Sequence, residues 1–397
     1  MSKLKELIRE LCPDGVSFIL IKDLMKQKAI CIITPAFKIK KNDYKESGSV
    51  PIISQEQEFI SGYCERTDTN IPQKNYVCFG DHSECIKYVD FAFVQGADGL
   101  KIMYTNEGII LARFLYHAAL AYYRRHNNYE RHFKYLSDTA IPLPPLPVQR
   151  EIVRILDKFT ELTAELTAEL TARKKQYEFY RDKLLTFGDV RGGATSDVAW
   201  KTLGEVCYIS AGGDAPKDSM SKQKTEKYSV PIISNGIGEN ALYGYTDAAK
   251  IEEPAVTVAA RGTIGYAEYR DYPFYPIIRL LTAIPKDTTV VNTKYLYYCL
   301  QGKQYSVPMG GIPQLTAPEL KKVEIPIPSI QVQKRIVNVL DNFDAICSDL
   351  KIGLPAEIEA RKKQYEFYRD ALLTYAATGI IIQTDRQTDR QTDRLKV

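Results

Sequence analysis

Residues 260–266, Ala-Arg-Gly-Thr-Ile-Gly-Tyr, set Arg261 and Thr263 beside two glycines that let a backbone turn tightly, the pattern of a hairpin tip closed by Tyr266. An outward arginine can pair bidentately with guanine in a major groove, worth about 1–3 kcal/mol of discrimination per good pair. An ordinary hairpin with a solvated arginine fits the same residues. Residues 122–135 interleave Arg124, Arg125, Asn127, Asn128 and Arg131 with tyrosines and histidines. That mixture suits phosphate gripping and base-edge reading, and equally a helix end whose basic groups complement the dipole. Two matching Val-Pro-Ile-Ile segments run into Ser54-Gln55 and Ser234-Asn235. Their amides can pair with adenine or simply end strands. Residues 80–84 occupy the place of the Arg261 turn in the first half without an arginine, leaving His82 or Lys87 for related work or the loop for reading a different base.

None of this is catalytic chemistry. The chain has no Gly-x-x-x-x-Gly-Lys-Ser/Thr loop for a nucleotide. Its one Pro-Pro pair, Pro144-Pro145, lies between leucines, not in the Asp/Asn-Pro-Pro-aromatic setting of an amino-methyltransferase. His117, His126 and His132 lie close in sequence but lack a nucleophile or metal partner, which favours structural or phosphate-facing roles. Eight cysteines without a Cys-x-x-Cys pair read as reduced thiols, and no metal site is expected. Catalytic residues are therefore expected on partners.

The elements that must position these groups are duplicated. Residues 172–182, Ala-Arg-Lys-Lys-Gln-Tyr-Glu-Phe-Tyr-Arg-Asp, return unchanged as 360–370. Residues 141–149 match 325–333, and 14–24 loosely echo 196–206, whereas 26–137 and 208–317 share only scattered anchors. Something constant is built around something variable. In the constant parts, Ile152, Ile155, Phe159, Leu162, Leu166, Leu170, Tyr177, Tyr180 and Leu184 follow three-and-four spacing, with Arg173 the one polar seam position. The second copy gives Ile336, Val339, Phe343, Ile346, Leu350, Leu354, Ile358, Tyr365, Tyr368 and Leu372. This is the period of narrow coiled-coil seams, and a helix over 148–187 is about 60 Å long at about 1.5 Å per residue. Such helices are expected to pair antiparallel. Within the first, Thr-Ala-Glu-Leu at 163–166 repeats at 167–170, while Gly353-Leu-Pro355 predicts a bend or break in the second. Residues 4–11 read as a helix that packs beside the C-terminal one, and short strands are expected at 51–54, 76–79, 255–260 and 323–326, with helices near 108–124 and 293–301.

Composition is that of a globular chain: 397 residues, 45% hydrophobic and 26% charged, with a net charge of +4 that permits a polyanionic partner without requiring one. No apolar stretch is long enough for a bilayer span and no apolar leader opens the chain, so a cytoplasmic home is expected. Repeats of Gln-Thr-Asp-Arg from 383 onward have no apolar face and are expected to be a disordered tail.

Two divergent domains, each followed by a near-identical helix ending in the segment above, with a Thr-Ala-Glu-Leu repeat in the first spacer, resemble the DNA specificity subunit of a type I restriction-modification system. The resemblance runs from about residue 4 to 375, and residues 260–265 and 310–315, the latter with Gln314, are similar to segments that recur in its target-recognition domains. It implies a mixed α/β (α+β) fold: two globular target-recognition domains separated by an antiparallel two-helix coiled coil, with a pseudo-twofold internal repeat. The corresponding division is 1–147, 148–190, 191–331, 332–376 and 377–397: first domain, central spacer helix, second domain, C-terminal spacer helix and tail. It implies that each domain reads half of a bipartite double-stranded DNA target and that the helices fix the gap. Two methyltransferase subunits would dock around the helices, with restriction subunits as further partners. Docking candidates are Arg173, Lys174, Tyr177 and Tyr180 with their copies Arg361, Lys362, Tyr365 and Tyr368. The chain itself would be non-catalytic and bind no cofactor, leaving S-adenosylmethionine, ATP and Mg to partner subunits. Rival readings are a stand-alone two-domain DNA-binding regulator, or a structural adaptor without salt-dependent DNA affinity.

Overall fold

The structure is a computed structural model that describes residues 2–65, 71–96, 99–187, 198–305 and 313–379. The Gln-Thr-Asp-Arg repeats and residues 310–312 of the second glycine motif lie outside the described residues. The chain divides into two compact units, one formed by 1–167 with 357–397 and the other by 168–356.

In the first unit, α1 (Ser2–Leu11), β1 (Phe18–Leu20) and α2 (Ile21–Lys26) precede two sheets. The four-stranded antiparallel sheet runs β2 (Ile30–Ile33), β8 (Leu100–Thr105), β5 (Tyr76–Gly80), β6 (Ile86–Val89). The smaller sheet is β4 (Gly62–Cys64), β3 (Val50–Ile53), β7 (Val94–Gln95). β5 is buried along its whole length, which is why its apolar run is continuous rather than alternating. Then follow α3 (Ala112–Tyr122), α4 (Phe133–Ser137), β9 (Ala140–Pro142), which pairs with β1, and the 40-residue α5 (Leu146–Leu185). Leu4 and Ile8 of α1 share one core with Phe79, Phe114, Leu156, and Leu372 and Leu373 of α10 (Leu354–Thr378). The Val16 N–H also donates to the Ala377 carbonyl, so the N-terminal helix does pack beside the C-terminal one.

The second unit repeats this order. β10 (Ala199–Thr202) pairs with β19 (Glu324–Ile327), and α6 (Leu203–Val206) starts at a reciprocal Thr202–Glu205 cap. One sheet runs β11 (Cys207–Ala211), β18 (Leu281–Pro285), β15 (Ala255–Val258), β16 (Ala267–Arg270). The other runs β12 (Met220–Ser221), β14 (Leu242–Thr246), β13 (Val230–Ile233), β17 (Tyr275–Pro276). α7 (Thr293–Leu300), α8 (Ala317–Lys321) and α9 (Ile330–Ser348) complete it. The strands and helices expected from sequence fall on β3, β5, β15, β19, α3 and α7, with ends moved by a few residues.

Each domain is fixed to its helix by the same glutamine. Gln149 accepts from the Leu111 N–H at 2.9 Å and donates to the carbonyls of Ile109 (3.0 Å) and Pro144 (2.8 Å). Gln333 does the same with Asn292 (2.9 Å), Val290 (2.8 Å) and Pro328 (2.8 Å). An aspartate adds a second tie: Asp157 takes Arg113 of α3, and Asp341 takes Lys294 and the Tyr298 hydroxyl of α7.

In the first unit α5 runs antiparallel to α10, Phe159 stacking on Tyr368 while Ile152 and Leu156 share a core with Leu372 and Leu373. In the second, Tyr180 of α5 stacks on Phe343 of α9, and Tyr177 shares a core with Ile336 and Leu340. The interruption expected near Gly353 is present: α9 stops at Ser348 and α10 starts at Leu354. The Asp349 carboxylate accepts the N–H groups of Lys351 and Ile352, and a Cβ on Gly353 would lie 2.6 Å from the Ala345 carbonyl oxygen. Pro355 then falls in the first turn of a new helix, where its missing N–H is harmless.

The seam of the second copy needs correction. Val339, Ile346 and Leu350 are 43%, 45% and 80% exposed. The buried stripe is instead Gln333, Ile336, Val337, Leu340 and Cys347. α9 packs on Tyr295 and Tyr298 of α7 as well as on Tyr177, so its inward face is turned between two neighbours rather than set by one.

Candidate nucleic-acid interface

In the second unit, residues 259–266 join β15 to β16 as a hairpin. The Ala259 N–H bonds the Tyr266 carbonyl and the Gly265 N–H bonds the Ala259 carbonyl, both at 2.9 Å. Gly262 and Gly265 have φ of +71° and +86°, a region open to glycine at little cost. Nε and Nη2 of Arg261 both donate to Oε1 of Gln314, at 2.9 and 2.6 Å. The Thr263 hydroxyl donates to the Asn235 carbonyl at 3.0 Å. Asn235 accepts the Ala260 N–H (2.8 Å) on its amide oxygen and donates from its amide nitrogen to the Ile278 carbonyl (2.6 Å). The structure thus gathers Arg261, Thr263, Asn235 and Gln314 at one tip, with Asn235 the fastener whose amide is engaged at both ends. Ser234 donates to the Ala241 carbonyl. Tyr266 is half-buried, which raises its phenol pKa.

Ile278 and Arg279, both exposed, join this tip unannounced by the sequence. They lie at φ of 53° and 59°. That is strained backbone for a β-branched residue, and neither residue type signals it.

The first unit builds the same arrangement with other side chains. The hairpin between β5 and β6 carries Asp81, His82 and Glu84, and Oε1 of Gln55 accepts the His82 N–H at 3.2 Å, as Asn235 accepts that of Ala260. Buried Glu84 accepts the Tyr123 hydroxyl and the N–H groups of His126 (2.8 Å) and Asn127 (2.7 Å). Burial alone would raise its pKa, but these hydrogen bonds outweigh it and hold the carboxyl below its usual range. Asp81 accepts the His132 N–H on its carbonyl and the Phe133 N–H on its carboxylate. Residues 123–132 are therefore a tethered loop that begins where α3 ends, not the last turn of a helix. On it Arg124, Arg125, Asn127, Asn128 and Arg131 are exposed. The Asn128 amide nitrogen bonds Glu130 and its oxygen lies 2.7 Å from Nε2 of buried His132.

Two candidates lie inside the fold instead. Lys87 is 5% exposed, and its ammonium donates to the carbonyls of Ser54 (2.9 Å) and Glu58 (2.5 Å). Burial pushes its pKa down. Ser54 is buried with its hydroxyl 2.7 Å from that of Ser61. Both brace the turn after β3 rather than face solvent.

The duplicated segments keep their geometry. Arg173 donates to Gln176 at 3.1 Å and Glu169 at 3.4 Å, and Arg361 to Gln364 and Glu357 at the same distances. Lys174 and Lys362 are exposed. Tyr177 is buried with its hydroxyl on Gln301, and Tyr365 bonds Nδ1 of buried His117 at 2.8 Å. Tyr180 and Tyr368 are the stacked rings described above. The tyrosines thus serve helix packing, whereas the lysines face solvent. Among the described residues no cluster of His, Cys, Asp or Glu is built to hold a metal ion, and no helix is long and apolar enough to cross a membrane.

The family described as type I restriction modification DNA specificity domain matches residues 22–173 and again 195–360. The chain belongs to this family. Each match to the specificity domain closes at the start of a duplicated segment. The specificity subunit of the type I restriction enzyme EcoR124I/EcoR124II of Escherichia coli is 30% identical over 375 residues, 85% of this chain and 90% of that one. A putative type I specificity subunit of Mycoplasma pneumoniae is 38% identical over 251 residues, 60% of this chain and 73% of that one. A solved chain from a study of complex assembly and conformational transition of the type I system superposes with a TM-score of 0.56 at 18% identity, covering 91% of this chain and 98% of that chain. That likeness is one of fold. This is a type I specificity chain with two target-recognition domains of mixed α/β structure.

Proposed function

We propose that each target-recognition domain reads one half of a split double-stranded DNA target through its hairpin and the loops fastened to it. α5, paired with α9 and α10, sets the unread gap. The observation that carries this reading is the same three-part tip built twice on equivalent strands: an amide after β3 or β13 grips the β5–β6 or β15–β16 hairpin, and a loop before α4 or α8 meets it. The scaffold is constant and the presented groups differ, as two unlike half-sites require. Arg261, held by Gln314, is the reader of a guanine edge in the second half-site. The chain contributes recognition and no catalytic group. Methyltransferase subunits, two per chain, dock on the duplicated segments around Lys174 and Lys362, restriction subunits join them, and S-adenosylmethionine, ATP and Mg act on those partners in the cytoplasm.

The test is to co-purify the chain with its methyltransferase, titrate duplex DNA across salt, and sequence methylated bases in the host genome. A bipartite methylated motif and a steep salt slope are expected. Tight binding by the lone chain, unchanged on assembly, would favour a stand-alone regulator, and absence of salt-dependent affinity would favour an adaptor.

A further inference from the structure

We propose that Tyr129, on the loop 123–132 of the first unit, is an aromatic wedge that enters one base step of the first half-site and stacks on a nucleobase, with the His82 ring as its backing. This deepens the DNA-reading proposal above and rests on it.

Tyr129 is 90% exposed, more than any other large apolar or aromatic side chain among the described residues. Yet it is not loose. Its ring stacks on His82 with centroids 5.2 Å apart and planes 18° from parallel. His82 is itself fixed, its Nδ1 3.0 Å from the Glu130 carbonyl and its N–H on Gln55. The loop beneath is tied on one side to Glu84 and on the other to Asp81. A large ring is thus held out in solvent in one orientation, so little conformational freedom remains to be lost on contact. Arg124, Arg125 and Arg131 are exposed on the same loop and pair with no carboxylate among the described residues. Exposed cations that no carboxylate neutralises among the described residues draw a phosphate backbone to the loop. A ring presented among them meets bases, and aromatic or apolar side chains inserted at base steps unstack and kink a duplex. A base–aromatic stack contributes about 5- to 150-fold in affinity.

The experiment uses the full chain assembled with its methyltransferase and a duplex carrying the target defined by methylated-base sequencing. Tyr129→Phe is expected to bind within about twofold of wild type. Tyr129→Ala is expected to lose about 5- to 150-fold with an unchanged salt slope, whereas Arg131→Ala flattens that slope by about one phosphate contact. 2-Aminopurine placed along the first half-site should change its emission on binding of wild type and Tyr129→Phe but not Tyr129→Ala, and a probe in the second half-site should be indifferent to position 129. Thermal melts of each variant separate misfolding from lost contact. Wild-type affinity in Tyr129→Ala overturns the wedge, as does Tyr129→Phe falling as far as alanine, or a loss that comes with a flattened slope. If the wild-type complex itself shows no salt-dependent binding, the underlying DNA reading fails and the wedge fails with it; those results are distinct from a tightly binding complex indifferent to Tyr129.

Discussion

Phe159 stacks on Tyr368 with ring centroids 5.1 Å apart and planes 23° from parallel, and their sequence equivalents Phe343 and Tyr180 stack at 5.8 Å and 28°. The phenylalanine comes from α5 in the first pair and from α9 in the second. One contact is made twice with the helices exchanging roles, which explains why the two helical sequences must agree. A double-mutant cycle on Phe159→Ala and Tyr368→Ala should return a coupling of about 1 kcal/mol beyond simple burial. Chemical denaturation measures it, and additive effects would mean that the rings merely adjoin.

Gln149 is buried and satisfies one backbone N–H and two carbonyls. Gln149→Leu keeps much of the volume but strands all three, at about 1–3 kcal/mol for each unsatisfied group. A loss of several kcal/mol is expected, enough to drop the melting temperature by more than 10 °C. Gln333→Leu should behave alike, and a melt unchanged in either variant would refute the assignment.

His117 is buried, its Nδ1 bonded to Tyr365 and its Nε2 3.4 Å from Asp157, with Arg113 and Arg369 also near. Burial holds its pKa below the ordinary imidazole value of 6.5 despite Asp157. Below pH 6.5 the unfolded chain therefore takes up a proton that the folded chain refuses, so the stability tied to His117 is full above that pH and falls as pH decreases through it. His117→Tyr copies the second unit, where Tyr298 donates to Asp341. This variant should flatten the stability profile below pH 6.5, and an equally steep profile would rule His117 out as its source.

The Thr-Ala-Glu-Leu units lie inside unbroken α5, where the Thr163 and Thr167 hydroxyls each bond the carbonyl one turn back. A third unit adds about 6 Å and leaves a residual rotation of about 40°, of the order of one to two base pairs of B-DNA. Methylated-base sequencing of a strain with the insertion should show both half-sites retained and a longer gap. Altered half-sites across an unchanged gap would defeat the ruler.

Arg261→Lys keeps the charge but loses the planar fork that Gln314 holds. Second half-site specificity should relax at one position while total affinity changes little, as read by methylation of targets randomised there. Uniform weakening across all sequences would instead assign Arg261 to phosphate.

Much of this was legible because the chain states it twice. Glycines at 262 and 265 announced the hairpin, and Gly353 with Pro355 announced the break, since both residue types constrain the backbone directly. The face of α9 was not legible: Val339 and Ile346 keep the heptad period, but packing against α7 as well as α5 takes Val337 inward, and Cys347 is buried where its neighbour Ile346 is exposed. Nor was Glu84, an acid in a turn by sequence, which is buried and organises a loop some forty residues away. Lys87 misled for the same reason. A charged residue in a strand looks solvated until the carbonyls that surround it are known.

The hydrogen bonds of the glutamine joint to its domain go to main-chain atoms, Ile109 O and Leu111 N on one side, Val290 O and Asn292 N on the other. Such a socket is blind to the side chains it clasps. Any cassette that brings the same backbone bend to the helix can be seated there, so selection is free to replace whole reading modules, and with them the addressed sequence, without redesigning the frame that carries them.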